Sequence, residues 1–225
     1  MQELFDFFTR FVSRPDKVLM NFIDLYGYWV YAFLFLIIFA ETGLIIASFI
    51  MPFLPGDALI FAIGMISAND EQNHLHIEFI IPLLMLAAML GDTVNYYVGR
   101  KFGNWLLDHP GKFYLQPKHI RMAAIFFHNK GKKAIIIARF IPLVRTIMPF
   151  ICGTTKLKYS IFILYSFIGA VLWVGVLSLI GYFLGGFAIV QNNLEYFILG
   201  IILIANLPLI SRFVKKKFQK KKMAK

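Results

Sequence analysis

The chain has 225 residues, of which 59% are hydrophobic and 16% charged, against roughly 45–50% and about 25% in soluble domains. So little polar sequence cannot cover a water-facing surface, which excludes a soluble globular enzyme, a disordered protein and a disulfide scaffold; the lone Cys152 has no partner for an internal bridge. The net charge of +11 is concentrated in eight basic residues between Arg212 and Lys225, past the last apolar segment, where positive charge marks the cytoplasmic side of a membrane rather than a nucleic-acid face.

In chain order, residues 1–27 interleave Phe5, Phe8, Phe11, Val12 and Leu19 with charges. They read as an amphipathic segment lying at the membrane interface, divided at Pro15, without the basic start and continuous apolar core of a cleavable signal. A membrane domain is expected over 28–211 and a cytoplasmic polybasic tail over 212–225. Within the domain, Tyr28–Pro55 carries one charge, Glu41; Ala58–Ala68 carries none; Phe79–Val98 carries Asp92; Ala134–Thr155 carries Arg139 and Arg145. Tyr159–Leu194 is 36 residues without a charge and Tyr196–Ser211 is 16 more. A span takes about 20 apolar residues, which predicts spans at Phe79–Val98, Tyr159–Leu184 and Tyr196–Arg212.

Loop charges orient the spans. Gly99–Lys133 holds eight basic residues and one acid, so it belongs in the cytoplasm with the C-terminal tail; Ser67–Glu78 holds three acids and no base, so it belongs outside. Lys132/Lys133 and Lys156/Lys158 then place both flanks of Ala134–Thr155 in the cytoplasm. Its 22 residues are too few to cross twice at about 1.5 Å each. The segment is therefore expected to enter the membrane and turn back, bending near Pro142 and Pro149 and closing at Gly153. Met51–Asp57 (MPFLPGD), with Pro55 and Gly56, reads as a second broken segment. Paired broken segments point to a transporter site near the midplane and are compatible with an inverted repeat.

An ionisable group inside the membrane costs roughly 2.5–3.5 kcal/mol, so Glu41, Asp57, Arg139 and Arg145 must be paired or hydrated. Two acids and two arginines balance. On an unbroken helix the two arginines would stand about 240° apart, so the breaks are what could gather the four charges. The cluster is either a set of salt bridges locking two hairpins or a polar cavity in which the arginines receive an anion, with the carboxylates as proton carriers. Guanidinium suits phosphate because its fork donates two parallel hydrogen bonds.

The strings ETGL (Glu41–Leu44), FLPGD (Phe53–Asp57), GD-x-x-NYYVGR-x-FG (Gly91–Gly103) and ARFIPLVRTIMPFICG (Ala138–Gly153) resemble the DedA family of bacterial membrane proteins. That family carries the SNARE-associated or VTT-type domain it shares with eukaryotic lipid scramblases. The resemblance runs from about Tyr26 to Leu209. It implies two facing re-entrant hairpins, embedded acids corresponding to Glu41 and Asp57, and paired arginines corresponding to Arg139 and Arg145. It also implies transport of lipid carriers, notably undecaprenyl phosphate.

Other residues are given supporting parts. Asp92, Tyr96 and Arg100 share a helix face with Asn95 nearby, which favours an Asp92–Arg100 contact that ties the helix down over the alternative, a part in substrate binding. Gly99, Gly103, Gly169, Gly175, Gly181, Gly185 and Gly186 are assigned to close helix packing, and Trp173, Tyr165 and Tyr182 to packing or interfacial anchoring. His74-x-His76 lacks the carboxylate–His pattern of a metal site. There is no P-loop and no G-x-G-x-x-G after a strand, so no cofactor or ATP drive is expected.

The expected fold is thus an all-α integral membrane protein, a polytopic helical bundle with two re-entrant hairpins, in the bacterial cytoplasmic membrane with its C-terminus cytoplasmic. The expected function is a proton-linked flippase for an anionic polyprenyl phosphate, with Arg139 and Arg145 on the phosphate and Glu41 and Asp57 exchanging protons. The alternative is a glycerophospholipid flippase or scramblase, or a proton-dependent antiporter of small ions. A lipid phosphatase would want a histidine near the buried charges, and none is close in sequence. Its partners are then the lipid substrate, protons and the bilayer, with no nucleic acid; a homodimer is left open.

Overall fold

The computed structural model describes residues 21–23, 25–43, 56–69, 75–108, 117–187 and a few positions from 189 to 200. Among them there is no strand. The helices are α1 (Trp29–Gly43), α2 (Gly56–Asn69), α3 (Ile77–Asp108), α4 (Pro117–Lys130), α5 (Lys133–Ala138), α6 (Pro142–Thr154) and α7 (Tyr159–Gly185). The segment before residue 21, Pro55, most of the third expected span and the basic tail lie outside the described residues.

Two helices form the frame. Ile77–Gly103 of α3 and all of α7 are each 27 residues of apolar sequence, about 40 Å long and enough to cross a bilayer. Their outward faces are apolar: Phe79, Leu86, Leu90 and Val94 on α3, and Leu164, Phe167, Val176, Leu179 and Phe183 on α7, are all exposed. Exposed apolar surface on this scale marks a face that contacts lipid or another protein. The inward face of α7 is a stripe of mostly small residues, Ser166, Gly169, Ala170, Ser178, Gly181 and Gly185, with Trp173 in its middle. Small side chains let helix backbones approach closely where lipid supplies no hydrophobic drive.

The two frame helices run antiparallel. Ser166 meets Asp92, Tyr96 stacks on Phe162 with ring centroids 4.8 Å apart, and the Gly175 position faces Met85. Shorter helices fill the space beside them in two pairs. At the acidic-loop end, α1 lies along the first half of α3: the His76 backbone N–H donates to the Tyr31 hydroxyl at 2.9 Å, and the Gly43 backbone lies directly against Gly91. Its companion α2 lies along the second half of α7, where Gly181 faces the Phe61 carbonyl and Gly185 faces Met65. At the basic-loop end, α5 lies along the first half of α7, with Ile136 at Gly169, and α6 lies along the second half of α3, with Phe150 at Gly99 and Thr154 at Gly103. Each end thus places one short helix on α3 and one on α7. Gly175 and Gly186 stand outside this close packing; a side chain there would meet only open space or a distant atom.

The apolar core is correspondingly double. One cluster, around Leu34, Ile38, Ile60, Phe61 and Leu84, fills the acidic end; another, around Tyr96, Ile135, Phe150 and Phe162, fills the basic end. The amphipathic α4 covers the second cluster with Ala123 inward and Ile125 exposed. It closes on Gly131, whose φ of +57° is the left-handed conformation that glycine adopts without strain.

The break between α5 and α6 falls at the first expected bend, Pro142, and not at Pro149 or Gly153. The chain leaves helix at Arg139–Ile141, where Ile141 is extended (φ −120°, ψ 103°), and Pro142 opens α6. Proline belongs there because its missing N–H lies among the unpaired donors of a first turn. Pro149 makes no break: α6 continues through it to Thr154, although its ring removes the helical donor to the Arg145 carbonyl. Gly153 does not turn the chain either. It lets α6 sit against the α3 backbone at Tyr96 and Arg100, where any side chain would collide. The turn comes after it, as Lys156 N–H bonds the Gly153 carbonyl (2.9 Å) and Leu157 N–H the Cys152 carbonyl (3.1 Å), a Schellman end with Lys156 left-handed at φ +55°.

Candidate functional site

Four helix ends converge between the two cores: the last turn of α1, the first turns of α2 and α6, and the end of α5. They bring the charged residues together near the middle of the frame helices, beside Asp92 of α3 and Trp173 of α7. Glu41 lies in the last turn of α1, Asp57 in the first turn of α2, Arg139 just past α5, and Arg145 in the first turn of α6.

Dipole physics explains why these ends need one another. Asp57 at a helix N-terminus and Arg139 at a helix C-terminus are each favoured by the local dipole. Glu41 and Arg145 stand at the wrong ends, an acid where carbonyls face out and a base where N–H groups do. The two are paired: Arg145 Nη2 donates to Glu41 Oε1, and its Nη1 donates to Asp57 Oδ1 at 2.6 Å. One guanidinium fork therefore holds both carboxylates, which belong to the two helices of the other pair. Gly56 leaves room for this; a side chain at that position would overlap the Glu41 carboxylate.

The second arginine does not join those acids. Arg139 Nη2 donates to Asp92 Oδ2 and to Ser166 Oγ at 3.0 Å, and Ser166 Oγ also donates to Asp92 Oδ2 at 2.6 Å. The expected Asp92–Arg100 contact is not formed. Arg100 lies two turns along α3, where its Nη1 donates to the Tyr96 hydroxyl at 3.0 Å, and that hydroxyl donates to the Leu157 carbonyl. Tyr96 and Arg100 thus brace the α6–α7 turn, and Asn95 donates to the Thr42 carbonyl at the end of α1. These three position helices; Asp92 alone of the supporting group enters the charged layer. The expected balance of two acids and two arginines becomes three acids and two arginines.

Trp173, assigned from sequence to packing or anchoring, is the residue that joins the two halves of the layer. It is 2% exposed, its indole N–H donates to Asp57 Oδ1 at 2.8 Å, and both guanidiniums lie over its ring, Arg145 at 4.7 Å and Arg139 at 5.8 Å from the centroid. Cation–π contact of this kind is worth about 2 kcal/mol when desolvated. Ser166, which sequence reasoning missed, supplies the hydroxyl that ties Asp92 to Arg139. The signal for both was the period of the small residues on α7, with Ser166 and Trp173 seven apart on one helix face.

The layer is closed: Glu41, Asp92, Arg139 and Arg145 are buried, and Asp57, with 20% of its side chain exposed, is the most accessible. Arg139 Nε and Arg145 Nε have no hydrogen-bond acceptor among the described residues. These two donors leave hydrogen-bonding capacity to spare on guanidiniums whose forks are already engaged by carboxylates.

Residues 54–183 match the VTT domain. Protein DedA of Escherichia coli strain K12 is 40% identical over 215 residues, 96% of each chain. An uncharacterized membrane protein of Mycobacterium leprae is 33% identical over 204 residues, 89% of this chain and 88% of its own. Inner membrane protein YqjA of Escherichia coli strain K12 is 36% identical over 162 residues, 69% of this chain and 68% of its own. No solved structure matches.

Proposed function

The chain belongs to the VTT-domain family of DedA membrane proteins, and on that premise we propose that it is a proton-linked transporter of an anionic lipid carrier, a polyprenyl phosphate such as undecaprenyl phosphate. The family is generally linked to membrane lipid or ion transport. The observation that carries the finer reading is the Arg145 fork, held at mid-height of the frame helices by two carboxylates at once.

A phosphate and a carboxylate compete for the same guanidinium N–H groups. Protonation of Glu41 or Asp57 weakens its hold on Arg145 and frees a donor for the anion; loss of the proton restores the ion pair and expels the anion. Three carboxylates against two guanidiniums also leave one negative charge, which a single proton neutralises. Both short-helix pairs act as re-entrant hairpins of an inverted repeat. The reading is supported by their placement at opposite ends of the frame and by the exchange of α3 and α7 as partners. The basic end faces the cytoplasm, with the C-terminus on that side, and the protein resides in the bacterial cytoplasmic membrane. The isoprenoid tail stays in lipid against the exposed faces of α3 and α7.

The excess of carboxylates favours one competing substrate class, an amine-bearing phospholipid head group that would lean on the acids. A proteoliposome assay separates the two: labelled polyprenyl phosphate moving between leaflets, with and without a pH gradient. The expected result is transport lost in Arg139→Ala and Arg145→Ala, with Glu41→Gln and Asp57→Asn losing only the gradient dependence. Transport of phosphatidylethanolamine alone would replace this reading with the second.

A further inference from the structure

We propose that Trp173 is a positioning residue that senses the protonation of Asp57 and passes it to both arginines. Its contacts divide by part of the ring. The indole N–H reaches Asp57 Oδ1, the same oxygen that takes Arg145 Nη1, while the ring face lies under both guanidiniums. Trp173 thereby touches both the Arg145–Glu41–Asp57 group and the Arg139–Asp92–Ser166 group. The two groups are set on different helices, and the indole is a direct contact that bridges them.

The charged groups around this indole are Asp57 from α2, Arg145 from α6 and Arg139 after α5, backed by Glu41 of α1 on Arg145 and Asp92 of α3 on Arg139. Among them only Asp57 accepts a hydrogen bond from the indole. An ionised Asp57 holds the indole N–H and sets the ring plane on which both guanidiniums rest. A protonated Asp57 is a weaker acceptor, so the ring is released and the two arginines lose a common floor. In this way one proton at Asp57 reaches Arg139, which no carboxylate of the acidic-end helices touches. Phe can keep the face and lose the N–H; Leu loses both.

The inference can be tested without knowing the transported lipid. Trp29→Phe and Trp105→Phe leave Trp173 as the sole tryptophan of the full chain, whose emission is followed against pH in detergent. Excited indole carries positive charge on its pyrrole nitrogen, so loss of the Asp57 charge moves the emission to shorter wavelength. One step to shorter wavelength on acidification is expected. Asp57→Asn should abolish it, whereas Glu41→Gln, which does not touch the ring, should displace it along the pH axis and keep it. A step that survives Asp57→Asn unchanged, or no step in the parent, overturns the proposal even if transport proceeds as proposed above. Should Asp57→Asn fail to fold, Asp57→Ser in the same single-tryptophan chain decides by the same emission scan: loss of the step supports sensing, and a step that survives unchanged overturns it.

Discussion

The acidic-end half (α1, α2) and the basic-end half (α5, α6) are built to one scheme and carry opposite chemistry. Each half lays one short helix on α3 and one on α7, and each relies on glycine at the crossing, Gly43–Gly91 and Gly64 with Gly181 in one, Gly99 and Gly153 in the other. At the tips the first half presents carboxylates and the second guanidiniums. Packing fixes where the tips arrive; charge fixes that they must meet. Neither half can bury its tip alone, since an unpaired charge at membrane depth costs several kcal/mol, and the layer between them therefore ties the halves together and is sensitive to a proton or a competing anion.

The largest test of that comparison removes one side of the tie. Arg145→Ala leaves the buried Glu41 and the half-buried Asp57 without their shared guanidinium, and should cost about 3–5 kcal/mol, read as a large drop in thermal unfolding temperature in detergent. Arg139→Ala should cost less, because Ser166 continues to donate to Asp92. Equal losses would mean that the two arginines are interchangeable, contrary to their different partners. Next come the crossings: Gly64→Val in one half and Gly153→Val in the other should each cost about 1–3 kcal/mol by overpacking, while Gly175→Val, which faces Met85 at 3.9 Å, should stay within about 0.5 kcal/mol. Chemical denaturation of the three variants ranks them.

How much of this was legible beforehand follows from the physics of each part. The frame helices were readable because long uncharged runs have one interpretation, and the four charges Glu41, Asp57, Arg139 and Arg145 stood out because charge in such runs is costly. The family resemblance carried the same four. Their pairing was not readable. Asp92 looked bound to Arg100 because helical spacing brings them to one face, yet in the fold Arg139 arrives from another helix and takes it. Pro149 looked like a bend because proline breaks isolated helices, while packing against α3 keeps α6 helical through it. Trp173 hid in α7, which is apolar on every side, so that amphipathic periodicity gave no inward face; only the spacing of small residues did.

Smaller effects sharpen the account. Ser166→Ala takes one donor from Asp92 and one acceptor from Arg139 and should cost about 1 kcal/mol, with transport slowed but still dependent on the pH gradient. Deleting 212–225 should leave transport by the purified protein intact, since a basic run after the last apolar segment is read as a topology signal; a complete loss of transport would assign the tail a direct part.

The central claim is that carboxylates and the lipid's phosphate compete for the Arg145 fork. The most direct measurement is binding of a polyprenyl phosphate to the purified protein as a function of pH, in the parent and in Glu41→Gln/Asp57→Asn, with Arg145→Ala as the blank. Binding by the parent should strengthen as pH falls and protons displace the carboxylates, and the double variant should bind tightly across the whole range. Weaker binding by the double variant than by the parent at every pH would contradict competition and make the acids part of the lipid's own binding surface.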